Sequence, residues 1–214
     1  MSFLPDYTTL VAFTAAALIL TITPGPDMTL FMSKTLMQGR KAGLAALVGA
    51  TCGLVIHTVL AAVGVSALLA ASALAFVILK FVGAGYLIWL AYQAIRNGSS
   101  LTLEATRSPK QSVFRVWLHG LGVNILNPKI VLFFVTFLPQ FVSAHDPHAA
   151  SKLMFLGGYF VVLCFPICLL MVLSASSFSR ALKASPKAMR AFDWAFAGIM
   201  GSFALKLLTA KASN

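Results

Sequence analysis

The chain has 214 residues, 59% of them hydrophobic and only 10% charged, with a net charge of +11. Soluble domains carry about 25% charged residues, so this chain cannot cover a water-facing surface, and its mean hydropathy of +0.91 marks an integral membrane protein. The cations cluster between apolar runs, as in inward-facing loops, which excludes a nucleic-acid partner; the apolar runs themselves exclude a β-barrel, whose strands alternate over about 10 positions.

At about 20 residues per span, the length accommodates roughly six transmembrane helices in one membrane domain. The first apolar run has no Lys or Arg ahead of it, and a Pro-Gly-Pro-Asp stands where a small-residue cleavage site would be needed. It reads as a retained first span. That span begins near Tyr7 and is interrupted by Thr23-Pro24-Gly25-Pro26-Asp27-Met28 before continuing to about Met37. Its length exceeds one straight crossing at about 1.5 Å per residue, so it is expected to break or project.

Gly39-Arg40-Lys41-Ala42-Gly43 forms a basic turn, and span two covers residues 44–69 with His57 inside it. Its Gly49-x-x-x-Gly53 spacing permits close helix contact. Span three covers residues 74–95; Lys80 is expected to snorkel to the interface, and Gly83 and Gly85 give a smooth face followed by Tyr86, Trp89 and Tyr92. Residues 99–112 are the most polar stretch and divide the chain into a first three-helix repeat (1–98), a cytoplasmic linker (99–112) and a second three-helix repeat (113–214).

Span four carries His119, Asn124, Asn127, Pro128 and Lys129; span five covers residues 153–176 with Pro166 inside it; span six covers residues 192–208 after a basic connector. His145 and His148 flank Asp146 and Pro147, but the proline spoils a helical presentation, so no metal site is expected. Cys52, Cys164 and Cys168 fall in apolar runs and read as small apolar-facing residues, not as a disulfide framework. No cofactor is expected. Most of the 16 Lys and Arg residues fall in connections one-two, three-four and five-six, which places both termini outside the cytoplasm.

Three spans per half mean that any duplication is inverted. Ile22-Thr23-Pro24-Gly25-Pro26-Asp27 corresponds weakly to Ile125-Leu126-Asn127-Pro128-Lys129, each a proline-interrupted first span. Proline removes a backbone donor and crowds the carbonyl four residues back. The polar groups so freed survive in a bilayer only when buried in protein or beside a cavity, and paired broken helices point to a substrate site near midplane.

Asp27 and Lys129 follow the two breaks, and an unpaired charge at that depth costs about 2.5–3.5 kcal/mol. Asp27 can bind a cationic amino group or a coupling proton, while Lys129 balances it or holds a carboxylate; the competing reading is a structural ion pair, or a helix cap at Asp27. Asn124 and Asn127 can ligate a zwitterion or satisfy the opened backbone. His57 and His119 are candidate proton carriers, with polar packing the plainer reading. No nucleophile-base pair accompanies these residues, so an enzyme is not expected. A channel, a non-transporting membrane assembly protein or an exporter of another small solute is the alternative.

Thr23-Pro-Gly-Pro-Asp-Met28, Gly39-Arg-Lys-Ala-Gly43, Gly83-Ala-Gly-Tyr-Leu87, Asn124-Ile-Leu-Asn-Pro-Lys129 and Phe137-Leu-Pro-Gln-Phe141, in that order, resemble the signature of the LysE/RhtB family of bacterial amino acid exporters. The resemblance runs from about Tyr7 to Leu208; Ala91 stands where the family often has glycine. It implies a six-span inner-membrane exporter driven by proton motive force, closer to the threonine and homoserine branch than to the lysine branch. It also implies that Pro24, Gly25, Pro26, Asp27, Asn127, Pro128 and Lys129 matter to the translocation path. The implied partners are an amino acid substrate, protons and the lipid bilayer, and a homodimer is compatible with this reading.

Overall fold

The structure, a computed structural model, describes residues 5–65, 78, 81–82, 84–85, 88–89, 91–93, 95–96, 111–142, 146–177 and 185–209. The first apolar run folds as α1 (Tyr7–Ile22) and α2 (Pro26–Gln38), bent by 48° at the Pro-Gly-Pro break. Asp6 caps α1 by accepting from the Thr9 N–H at 2.6 Å, and that bond holds its carboxyl below the usual carboxylate range. Gly39 turns the chain at φ +92°, a conformation that favours glycine. α3 (Arg40–Leu60) follows at once and runs into a π-helical turn, Ala61–Val65. Span two therefore starts earlier than expected, because the cationic turn itself is helical.

In the second half, Ser112 caps α4 (Val113–Ile125) by accepting from the Arg115 N–H. α5 (Pro128–Leu132) continues as a π-helical turn, Phe133–Phe137, and a 3₁₀ turn, Leu138–Phe141. The α4–α5 pair is also bent by 48°. α6 (Ala149–Leu173) keeps Pro166 inside it, and Asp146 ahead of it accepts from Lys152 Nζ at 2.5 Å and from the His148 N–H at 2.8 Å. Those two bonds, the Lys152 one first, hold the Asp146 carboxyl low. α7 (Pro186–Thr209) begins before residue 192 and takes in the end of the expected connector, with proline at its favoured first position.

Half of span three, with Lys80, Gly83 and Tyr86, lies outside the described residues, as do linker residues 99–110 and His145; the described positions between 78 and 96 are helical. Among the described residues, α3 with its π turn and α6 are each long and apolar enough to cross a membrane, and each bent pair qualifies if counted as one span. This is an all-α membrane protein.

The helices pack where side chains are smallest. A Cβ on Gly49 would lie 2.0 Å from the Trp117 carbonyl oxygen, and one on Gly120 2.2 Å from that of Ala46, so α3 and α4 meet backbone to backbone. The glycine spacing read from the sequence is a true contact ridge. Phe13, Phe133 and Phe160 belong to one apolar core, joined by tilted ring contacts, and Met28, Met32 and Val116 to a second around α2, α3 and α4. Buried Lys34 on α2 donates to Gln111 Oε1 at 2.9 Å, and the Gln111 N–H donates to Gln38 Oε1, which ties the end of α2 to the entry of α4.

Candidate functional site

Each break leaves carbonyls without their helical donors. Pro24 has no N–H to give Leu20, four residues back, and Pro128 has none to give Asn124. The protein satisfies both from elsewhere. Lys129 Nζ donates to the Leu20 carbonyl at 2.8 Å and to the Thr23 carbonyl at 2.7 Å, so the cation of the second break closes the C-terminal end of α1. The Asn124 carbonyl accepts from the Asn127 N–H at 3.1 Å and faces His57 Nε2 at 3.4 Å.

The carboxylate of the first break is held by the second. Asp27 Oδ2 accepts from Asn124 Nδ2 at 2.8 Å and from Asn127 Nδ2 at 3.0 Å. Asn127 is also the N-cap of α5, its Oδ1 accepting from the Lys129 N–H at 3.1 Å. Asn124 is positioned by the glycine ridge: a Cβ on Gly53 would lie 2.3 Å from Asn124 Oδ1, so only glycine on α3 lets this amide reach across to Asp27. Asp27 Oδ1 is buried and has no hydrogen-bonding partner.

Asp27 and Lys129 therefore do not form a salt bridge with each other, unlike Lys152 and Asp146. Their charges complement backbone dipoles instead. Asp27 sits in the first turn of α2, where an N-terminal dipole favours an anion. Lys129 sits near the start of its own helix, where a cation is disfavoured, and gains by reaching the C-terminal end of α1.

A cavity of about 60 Å³ lies between the breaks, room for several water molecules. Gly25, Asp27, Asn124, Asn127 and Lys129 line it. Pro24, Pro26 and Pro128 do not line it; they make the breaks that do. Gly25 is in extended backbone, φ −164°, with its open side against the Lys129 stem. His57 is buried and does not itself line the cavity, its ring stacked on Phe134 at 5.6 Å. His119 lies on the exposed face of α4 and does not line the cavity.

Part of the lining was not anticipated from the sequence. Thr21, Cys164 and Cys168 belong to it, and Thr21 Oγ1 lies 2.9 Å from Cys164 Sγ. The i, i+4 spacing of the two cysteines was the available signal, since it puts both on one face of a helix.

The LysE type translocator profile matches residues 18–211. The chain is 32% identical over 188 residues to the homoserine/homoserine lactone efflux protein of Salmonella typhimurium, covering 88% of this chain and 90% of that one. It is 31% identical over 202 residues to an uncharacterized membrane protein of Vibrio cholerae, covering 94% and 97%. A further uncharacterized membrane protein, from Bacillus subtilis, is 37% identical over 142 residues, covering 63% and 68%. No solved structure matches with significance. With its broken-helix pairs and its match over nearly the whole length, the chain belongs to the LysE family of membrane translocators, and is a transporter and not an enzyme.

Proposed function

We propose that the protein exports neutral amino acids or close derivatives, of the threonine and homoserine type, by proton antiport through alternating access. The observation that carries this is Asp27 Oδ1, a buried acceptor without a partner beside a cavity lined from both breaks. An oxygen so placed takes either a proton or one N–H of a substrate ammonium, and it cannot hold both well. Mutual exclusion at one atom is what antiport requires: the proton arriving from outside displaces the amine, and the amine arriving from the cytoplasm displaces the proton.

Lys129 uses two of its three N–H groups on the α1 carbonyls, which leaves one for a substrate carboxylate. The zwitterionic ends of an amino acid would thus meet one anionic and one cationic group. Alternating access would come from a fold of six spans in a 3+3 inverted repeat, with both termini on the outer side of the inner membrane. The equal bends of the two broken pairs support that arrangement, as does the efflux activity named for the Salmonella typhimurium relative.

The test is counterflow in proteoliposomes with labelled homoserine, threonine, leucine and lysine, with the pH set independently on each side. Saturable counterflow of the neutral substrates, accelerated by an inward proton gradient, is expected. Exchange that is indifferent to the gradient would remove proton antiport from the reading, and unsaturable flux would make the protein a channel.

A further inference from the structure

The lining of the cavity is of two kinds. Asp27, Lys129, Asn124 and Asn127 give it a carboxylate, an ammonium and two amides; Thr21 from α1 and Phe160, Cys164, Phe165 and Cys168 from α6 give it a softer surface. The hydrogen bonds of that softer surface can be assigned. Thr21 has one hydroxyl hydrogen, and it goes to the Ala17 carbonyl at 2.7 Å. The contact of 2.9 Å with Cys164 is therefore donated by the thiol, and the Cys164 sulfur, which lines the cavity, keeps a weak acceptor that Cys168 can also reach. Cys168, one helical turn on and half-buried, brings a second thiol to the same cavity.

We propose that this soft surface is the subsite for the substrate side chain. It selects a small neutral chain, apolar or bearing a single hydroxyl or thioether, with Cys164 and Cys168 as the residues that set the preference. A charged side chain seated there would lose its water, and the two counter-charges of the cavity, Asp27 and Lys129, are taken by the amino and carboxylate ends. An aromatic and sulfur surface instead suits methylene and methyl groups, and a lone hydroxyl can donate to the Cys164 sulfur. The assignment rests on the reading of Asp27 and Lys129 as the groups that take the amino and carboxylate ends.

The experiment uses the full chain with Cys52, the remaining cysteine, replaced by alanine; Cys52 lies on α3 and does not line the cavity. In proteoliposomes, Cys164→Ala and Cys168→Ala are expected to change the preference between homoserine and leucine by roughly tenfold, the scale of one small contact in a pocket. The change should appear in KM more than in the maximal rate. Cys168→Asp is expected to admit lysine, which the parent refuses. Independently of any variant, N-ethylmaleimide should inactivate the parent, and saturating homoserine should slow that inactivation. The proposal is overturned if the parent exchanges amino acids while all three variants keep its substrate profile, or if homoserine gives no protection. Absence of all amino acid counterflow by the parent overturns the reading of Asp27 and this one together.

Discussion

The two proline breaks bend their helices by the same 48°, yet they are closed in opposite ways. At the first, the orphaned Leu20 carbonyl is met by a full positive charge that also holds Thr23. At the second, the orphaned Asn124 carbonyl is met by a backbone N–H and a more distant imidazole, both without need of charge. The side chains reverse this order. The first break offers a carboxylate with one oxygen still free, while the second offers amides whose N–H groups hold that carboxylate, Asn124 Oδ1 being left without a partner. The first break thus depends on the second for its structure and carries the reactive group; the second is largely self-sufficient and acts as the frame.

That asymmetry gives the largest expected effect to Asp27→Asn. The amide oxygen of an asparagine can still accept from Asn124 and Asn127, so the bend and the insertion should persist. What it loses is the capacity to take up a proton. Counterflow in proteoliposomes should become independent of the pH gradient, and export against a concentration gradient should vanish. Retained proton-driven accumulation by this variant would transfer the coupling role elsewhere.

Lys129→Met reverses the pattern, with the damage falling on the structure of the other break. A hydrogen bond to a charged group contributes about 1.5–3 kcal/mol, and two are lost, offset in part because a buried cation no longer has to be desolvated. A net loss of about 3 kcal/mol is expected, or roughly 6–12 °C in Tm for a chain of this size. Thermal unfolding in detergent reads it directly. A Tm unchanged by this substitution would mean that the end of α1 does not need Lys129.

The breaks were legible because proline and glycine in an apolar run have few other uses, and the α3–α4 ridge was legible from Gly49 and Gly53. The ends of elements were less so: α7 starts at Pro186, since a proline followed by basic residues reads equally as a loop. Partner choice was not legible at all. Opposite charges at Asp27 and Lys129 invite pairing in sequence, but proline creates carbonyls that compete for the ammonium, and only the fold shows that Leu20 and Thr23 win. The π-helical turn at Phe133–Phe137 and the thiol lining were hidden for a similar reason. Phenylalanine and cysteine in an apolar span look like any other lipid-compatible residues until a neighbouring helix is placed against them.

The smallest expected effect belongs to the second break, through His57→Phe. The imidazole contributes two things: a ring stacked on Phe134 and an Nε2 that lies 3.4 Å from the Asn124 carbonyl. Phenylalanine keeps the ring and deletes the nitrogen. The carbonyl retains the Asn127 N–H at 3.1 Å, so it is not stranded, and a long neutral contact is worth no more than about 0.5–1 kcal/mol. The Tm should therefore fall by at most roughly 2–4 °C, well short of the Lys129→Met variant. The same variant also separates packing from proton transfer. With Asp27 as the coupling group, gradient-driven counterflow should survive in His57→Phe within a few-fold of the parent. Loss of gradient dependence at an intact Tm would instead put the imidazole on the proton path, and would make the second break reactive as well as structural.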